Sequence, residues 1–298
     1  MAKNSGHFGD KSLGSIHKEH ATADTTEGGA CLTGHKSSFT NFNGKHTCNY
    51  RYQCYEQAKS HADIKKCLHS YRDRLPTEPK PTSVYPTKSG SHYPARYCTM
   101  LEVPEPGDWD IGGPERDIER DTIAGKTITI KEGYNFTTDT WPYWNNAHHL
   151  IPKGTLSSAI TNEGLPVSNV MQKALLTAQY NINHKKNMLF LPMDKEVGKI
   201  LDVPRHLILR EDDEPDLDAM CQAHPVYDEM VKEMDKGLEK ILKGYRKICN
   251  KAVSDNDDEH VIPDAKLDKA KLEKLSETLL ETILDWEGGR SLDGHAKK

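Results

Sequence analysis

The chain has no long hydrophobic run, and its first thirty residues are polar. No segment approaches the ~20 consecutive apolar residues that a membrane-spanning helix needs, so we expect no membrane span. The first residues, Met1 to Ala30, are rich in Gly, Ser, Thr, His and Lys and lack the apolar core of a secretory signal peptide. We therefore expect synthesis in a cytoplasm, with any export carried out by a dedicated machine.

The composition is also low in apolar residues and has no excess of positive charge. Only 35% of the 298 residues are hydrophobic while 29% are charged, which predicts a substantial exposed portion around one large domain or two smaller ones. The formal net charge of −5 argues against a protein that coats nucleic acid with its whole surface. A local basic cleft stays compatible with this balance.

Closely spaced cysteine pairs are missing as well. The cysteine count is 7, an odd number, and no CxxC pair occurs, which argues against a complete disulfide framework. Several cysteines and histidines near the N-terminus have spacings that leave zinc open: Cys48, Cys54, Cys67, His46, His61 and His69. Structural zinc sites usually contain close pairs, so we favour free thiols or one or two disulfides there.

Composition divides the chain into three regions. Residues 1–94 form a polar, Cys- and His-containing, loop-rich region that ends in a proline-rich linker, residues 95–250 form a more globular domain, and residues 251–298 form a helical extension. Hydrophobic periodicity and turn residues predict the following elements. They are a helix within 48–75, strands at 126–131 and 188–191, a helix at 168–180 capped by Ser168, a brief helix after Asp194, one long helix from Pro225 to Tyr245, and a helix at 264–286 closed by Gly288 and Gly289.

The segment most suggestive of chemistry runs from Asn145 to Pro152 and reads NNAHHLIP. Adjacent side chains of an extended strand point to opposite faces. One imidazole of the His148–His149 pair is thus able to bind a metal while its neighbour handles a proton on the other face. Few purely structural roles need both, so we expect the functional site here.

Two later segments extend this pattern: Asn187 to Pro192, which reads NMLFLP, and Ala223 to Tyr227, which reads AHPVY. In this order, the three segments resemble the AHH branch of the HNH/endonuclease VII nucleases. The resemblance covers roughly Tyr134 to Tyr245. It implies an α+β, mostly helical fold, in which a ββα-metal (HNH) finger is embedded in a helical domain and holds one divalent metal ion (Mg²⁺, Mn²⁺ or Zn²⁺).

The resemblance also implies roles for individual residues. His148 and His224 match metal ligands, and His149 matches the general base that deprotonates a water. Asn187 matches the asparagine that ties down the hairpin loop and so orients the base. The family usually has another ligand histidine shortly before the last one, and here we favour His206, with Cys221, a carboxylate or water as alternatives.

Physical chemistry fits this division of roles. Phosphodiester hydrolysis needs a nucleophile made near neutral pH, which suits an imidazole, and a cation that neutralises charge on the phosphate. Basic residues near the proposed finger, above all Lys185, Lys186 and Arg205, are candidates for nucleic-acid binding. Trp141 and Trp144 are able to stack on bases, although hydrophobic anchoring of the hairpin is the favoured interpretation.

We therefore predict a metal-dependent endonuclease that acts on DNA. The resemblance implies a bacterial toxin effector, made in the bacterial cytoplasm without a signal peptide, delivered by a type VI-like secretion system and active in the target-cell cytoplasm. Its partners would be DNA, an immunity protein and a secretion-system component. The competing interpretations are an RNase of the same fold and a non-catalytic adaptor whose histidines hold a structural zinc.

Overall fold

The computed structural model of the chain describes residues 30–32, 50–60, 118–121, 127–130, 145–193, 198–199, 201–206, 224–256, 261–263 and 267–296. The helices are α1 (Tyr50–Ser60), α2 (Lys153–Thr161), α3 (Val167–Thr177), α4 (Pro225–Glu233), α5 (Leu238–Asn256), α6 (Ala270–Leu284) and α7 (Leu292–Ala296), with a 3-10 turn at Lys185–Asn187. The strands are β1 (Ile118–Asp121), β2 (Thr127–Ile130), β3 (Asn145–His149) and β4 (Met188–Pro192). The described chain is mostly helical with small sheets, which confirms the predicted α+β class.

The strands form two small sheets. β1 pairs antiparallel with β2, so that Ile118 lies opposite Ile130 and Asp121 lies opposite Thr127. β3 pairs with β4 in a second, two-stranded sheet. Strands β2 and β4 confirm the strands predicted at 126–131 and 188–191. Every residue of β4 is buried, which explains its unbroken apolar sequence.

The chain folds as two compact units, each made of segments that are far apart in sequence. Unit 1 contains the described residues within Met1–Gln53, His149–Met188 and Asp228–Leu280, and unit 2 contains those within Cys54–His148, Leu189–Tyr227 and Glu281–Lys298. The three consecutive regions proposed from composition stay a prediction.

The core of unit 1 forms where α2, α3 and α5 pack on one another. On α5 the buried residues Leu238, Leu242, Tyr245 and Cys249 are spaced by three and four positions, so they share one face of the helix. Complete burial of a leucine side chain stabilises a fold by about 1.5–3 kcal/mol relative to exposure. This apolar face therefore fixes α5 against α2 and α3.

Burial, with Glu163 nearby, raises the pKa of the Cys249 thiol to about 12, so this free thiol stays protonated and unreactive.

The long helix predicted from Pro225 to Tyr245 is wrong in one respect, because it is broken into α4 and α5. Between them, Lys236 adopts a left-handed conformation with φ of 60°. A Cβ on Gly237 would lie 2.7 Å from the carbonyl oxygens of Lys232 and Met234. Only glycine fits this tight turn, and periodicity alone does not reveal it because the apolar spacing continues across the break.

Two further helix predictions differ from the structure at their ends. Helix α3 begins at Val167 after Pro166, and Ser168 is a buried residue of its first turn, so Ser168 is not the predicted cap. Helix α6 is shorter than the predicted 264–286. Its apolar stripe is confirmed, because the predicted residues Leu267, Leu272, Leu275, Leu279 and Ile283 are all buried.

Other predictions fall on parts of the chain outside the described residues. These are the helix beyond Ser60, Cys48, Cys67, Trp141, Trp144 and Cys221. The brief helix predicted after Asp194 is described only in part, and its described residues 198, 199 and 201 are helical. Within the described ranges, no helix is both long and apolar enough to cross a membrane.

Candidate metal centre and histidine pair

Three histidines converge in unit 2: His148, His206 and His224. Each offers a ring nitrogen, and these ligand atoms all lie within 4.8 Å of one another. The ring centroids of the three possible pairs are 5.1, 4.9 and 5.0 Å apart, and the planes cross at 68° to 86°. The three ring centroids thus form a nearly equilateral triangle. The sequence predicted these three residues as one group, and the structure brings them together.

This donor set fits a divalent transition-metal ion. A metal held at about 2.1 Å by tetrahedrally arranged imidazoles keeps its ligand nitrogens about 3.4 Å apart. The ligand atoms here all lie within 4.8 Å of one another, which is close to that spacing. His148 and His206 are buried and His224 is partly exposed, so the triangle is closed on one side and accessible beside His224.

Backbone contacts fix the position of His206. Its N–H donates to the carbonyl of Pro192, the last residue of β4, at 2.8 Å. The preceding residue, Arg205, is bonded on both sides to the segment around Ser291, because its N–H donates to Arg290 and its carbonyl accepts from Leu292. His206 is therefore held between the end of β4 and the C-terminal segment.

Glycines allow that C-terminal segment to approach closely. A Cβ on Gly288 would lie 2.7 Å from the Asp202 Cα, and a Cβ on Gly198 would lie 2.8 Å from the Gly289 Cα. Gly289 also has a positive φ of 86° and donates its N–H to Val203 at 2.9 Å. The two glycines predicted to close a helix thus pack backbone against backbone on the segment that leads to His206.

His224 stands immediately before the first turn of α4. Pro225 begins the helix, where its missing N–H costs nothing. The N–H of Tyr227 in this first turn donates to the Asp293 Oδ1 at 2.9 Å, and Asp293 is buried. A carboxylate at a helix N-terminus also interacts favourably with the helix dipole. Asp293 therefore fixes the start of α4 and, with it, the position of His224.

An aromatic column supports the histidine triangle. The fully buried ring of Tyr227 lies 5.1 Å from His148 and 5.4 Å from His224. Trp286 meets Tyr227 edge-on at 6.3 Å and stacks on His295 at 5.0 Å with an angle of 7° between the planes. Burial lowers the pKa of His295, and this effect outweighs the hydrogen bond to the Glu287 carbonyl, which raises the pKa. His295 is therefore mostly neutral at pH 7.

The second histidine of the pair, His149, belongs to unit 1 and is partly exposed. Its Nε2 lies 2.9 Å from the Oδ1 of Asn183, and its ring centroid lies 5.9 Å from that of Tyr50. A carbonyl oxygen only accepts hydrogen bonds, so this contact requires the proton on Nε2. In the neutral ring, Nδ1 then carries the lone pair.

Asn187 is buried in unit 1 and uses both ends of its amide. Its Oδ1 accepts from the N–H of Ile151 at 2.8 Å and from the Ser276 hydroxyl at 2.8 Å. Its Nδ2 donates to the carbonyls of Ile182 at 2.8 Å and Ile151 at 3.3 Å. Ile151 comes two residues after His149. Asn187 thus ties the segment after the histidine pair to the segment that contains Asn183.

The cations predicted to bind nucleic acid have different surroundings. The Nζ of Lys186 lies 2.9 Å from Glu273 and 3.8 Å from Glu277. Lys185 is partly exposed, and its backbone N–H donates to the Gln53 side chain at 2.9 Å. Arg205 is buried with 4% of its surface exposed. Phosphate binding by Lys186 would require it to exchange its carboxylate partners, and the role of these cations stays a prediction.

Sequence reasoning missed Asn183, Ser276 and Asp293. The run Asn181 to His184, which reads NINH, carried a local signal, because asparagines near an expected catalytic histidine are able to orient it. Ser276 and Asp293 carried no such signal, since each acts on a residue far away in sequence.

In comparisons with known proteins, the chain matches no family model, no curated protein and no solved structure.

Proposed function

We propose that this chain is a metal-dependent endonuclease of the AHH type that hydrolyses the phosphodiester bonds of DNA. The observation that carries the proposal is the convergence of His148, His206 and His224, whose ligand atoms lie within 4.8 Å of one another. The three residues are 18 to 76 positions apart in sequence, so their convergence depends on the tertiary fold.

In this proposal the three histidines hold one divalent ion. Neutral imidazole suits zinc and other first-row transition ions, whereas Mg²⁺ prefers oxygen ligands. We therefore expect Zn²⁺ or Mn²⁺ to bind more tightly than Mg²⁺. When bound, the ion supplies positive charge that stabilises the negative charge of the phosphate group.

His149 is the proposed general base. Its Nε2 proton is held by Asn183, so Nδ1 is the atom that takes the proton from the attacking water. Asn187 acts as a positioning residue, because it bonds to the backbone of Ile151 just after the histidine pair. The proton from the water thus moves to the His149 ring, whose rotation is fixed by its hydrogen bond to Asn183.

The order of elements supports the ββα-metal finger that the resemblance implies. β3 carries His148 and pairs with β4, and α4 begins directly after His224. Two helices, α2 and α3, lie between the paired strands in sequence, so the finger proposed here has a long insertion. His206 follows β4 and supplies the third ligand.

The biological setting of the proposal comes from the same resemblance. A bacterial toxin effector of this type would be delivered by a type VI-like secretion system and neutralised by an immunity protein. DNA is the proposed substrate, and an RNase of the same fold is the nearest alternative. Lys185 is partly exposed and lies two residues after Asn183, so it is the first candidate for contact with phosphate.

One observation favours a second function, a structural zinc site in a binding protein. His148 is only 1% exposed and His206 only 4%, and buried ligands are typical of structural sites. A structural site is closed by four protein ligands, whereas a catalytic site keeps a position for water or substrate. The partial exposure of His224 favours the catalytic proposal.

The test is cleavage of supercoiled plasmid and of a folded RNA by the full-length chain with Mg²⁺, Mn²⁺ or Zn²⁺, and with EDTA. We expect metal-dependent nicking of DNA that falls about 10²–10⁴-fold in His149→Ala, the usual contribution of a general base. The matched control is His184→Gln, which removes a nearby histidine whose described bond is to the Lys186 N–H and should retain activity.

Each alternative has its own outcome. Cleavage of RNA but not of DNA would identify the RNase. Tightly bound zinc without cleavage of either substrate would identify the structural site. Equal cleavage by the wild type and His149→Ala would contradict the assignment of the base.

A further inference from the structure

Asn183 is buried, whereas an asparagine that serves only a surface turn is usually exposed. It is fully buried, and its Oδ1 lies 2.9 Å from the Nε2 of His149. Burying an amide side chain costs free energy unless its polar atoms find partners. Here one partner is the side chain proposed as the general base.

Two further hydrogen bonds hold Asn183, one from its backbone and one from its side chain. Its backbone N–H donates to the Asn181 Oδ1 at 2.9 Å. Its Nδ2 donates to the Sγ of Cys31 at 3.4 Å, so one end of the side-chain amide faces Cys31 and the other end, Oδ1, faces His149. The side chain of Asn183 is therefore held between Cys31 and His149.

Cys31 belongs to a short buried segment from the N-terminal region of the sequence. Ala30, Cys31 and Leu32 are exposed by 2%, 0% and 2%. Cys31 forms a parallel bridge with Asn181, because its N–H donates to the Tyr180 carbonyl at 2.9 Å and its carbonyl accepts from Ile182 at 2.8 Å. This tripeptide holds both the backbone and the side chain of the Asn181–Asn183 segment.

We propose that Asn183, held by Cys31, is the positioning residue that sets the rotation and tautomer of His149. The inference rests on the proposed function, because it concerns the ring assigned as the general base. Asn183 keeps the proton on Nε2 and thereby makes Nδ1 the ring atom that accepts a proton. Residues that orient a reacting or metal-binding imidazole typically contribute about 10- to 100-fold to activity.

A purely structural role for Asn183 makes a different prediction, and two substitutions separate the two roles. Asn183→Leu fills the buried space but removes the acceptor oxygen. Asn183→Asp keeps an acceptor oxygen but buries a charge, so it is the more destabilising change. Positioning requires the activity order Asp above Leu, whereas a structural role requires activity to follow stability, with Leu above Asp.

The experiment measures kcat and KM for plasmid nicking by the full-length wild type, Asn183→Leu, Asn183→Asp and His149→Ala, together with the stability of each. We expect kcat to fall about 10- to 100-fold in Asn183→Leu with KM unchanged, and to recover partly in Asn183→Asp. In parallel, ¹⁵N-edited NMR of the histidine rings should show a slowly exchanging Nε2–H signal from His149 that is lost in Asn183→Leu.

The outcomes separate this inference from the proposed function. Wild-type kcat in Asn183→Leu, with His149→Ala inactive, would overturn the positioning role and leave the nuclease proposal standing. Activity that follows stability, with Leu above Asp, would also overturn it. Wild-type rates in His149→Ala would overturn this inference together with the assignment of His149 as the general base.

Discussion

Replacing Asn187 with alanine should destabilise the fold more than any other single loss of a described side-chain hydrogen bond in unit 1. The side chain is 2% exposed and joins three separate parts of the chain. It bonds to both backbone polar groups of Ile151, to the carbonyl of Ile182 and to the hydroxyl of Ser276. Alanine removes all of these contacts at once.

The expected loss of stability follows from the polar groups that lose the Asn187 side-chain amide as their hydrogen-bond partner. A buried polar group left unsatisfied costs about 1–3 kcal/mol. The Ile151 N–H and the Ile182 carbonyl lose their side-chain partner, whereas Ser276 keeps a second bond to the Leu272 carbonyl at 3.2 Å. Two such groups give about 2–6 kcal/mol for Asn187→Ala. Ser276→Ala removes one bond and leaves Asn187 bonded to Ile151, so it should cost only about 1 kcal/mol.

The assay is urea unfolding followed by far-UV circular dichroism, on Asn187→Ala, Ser276→Ala and the double variant. The double variant should cost less than the sum of the single changes, since both remove the same bond. Asn256→Ala, whose amide reaches only the Ala252 carbonyl near the exposed end of α5, is the control and should stay within about 0.5 kcal/mol of wild type. A cost below about 1 kcal/mol for Asn187→Ala would refute the role assigned to its amide.

Three further predictions concern the break between α4 and α5, the start of α4 and an ion pair. Gly237→Ala should destabilise by about 1–3 kcal/mol because its Cβ meets backbone oxygens at 2.7 Å, whereas Gly244→Ala, with nothing within 4 Å, should stabilise α5 by about 0.5–1 kcal/mol. Asp293→Ala should weaken metal binding about tenfold or more, measured by titration calorimetry, because it releases the first turn of α4 beside His224. Burial raises the pKa of Glu273, but the hydrogen bond and charge of Lys186 and the charge of Lys269 outweigh this effect, so the pKa is lowered. The ionised carboxylate therefore stabilises the fold above the unfolded-state pKa of about 4.3, and this contribution is lost as the pH falls. The stability difference between the wild type and Glu273→Gln should therefore shrink below about pH 4.

Each of these predictions has a contrary result. Equal effects of Gly237→Ala and Gly244→Ala in thermal melts would contradict the tight turn. Unchanged metal affinity in Asp293→Ala would show that α4 holds His224 without the carboxylate. A wild-type advantage over Glu273→Gln that grows as the pH falls would have the wrong sign for an ion pair with Lys186.

The sequence predicted the site best where residues close in sequence carry the information. The strand Met188–Pro192, the apolar stripe of α6 and the grouping of the three histidines all follow from local patterns or from three short segments. Hydrophobic periodicity is strong in such stretches because one face of each element is buried.

The sequence failed where a partner lies far along the chain. The Asn183 contact with Cys31, 152 residues away, and the Asp293 contact with Tyr227, 66 residues away, depend on tertiary packing that no local pattern encodes. The turn at Gly237 was missed for another reason, since the apolar spacing continues through it and only the left-handed Lys236 marks the break. The burial of Arg205 is a further feature that its charge alone does not indicate.

The most direct test of a metal centre at His148, His206 and His224 is a titration of the metal-stripped, full-length chain with Co²⁺, followed by visible spectroscopy. We predict one equivalent of tightly bound ion with a d–d spectrum and no thiolate charge-transfer band, lost in His148→Ala, His206→Ala and His224→Ala and retained in His184→Gln. Absence of binding in the wild type, or an unchanged spectrum in the three alanine variants, would contradict the metal centre and the nuclease built on it.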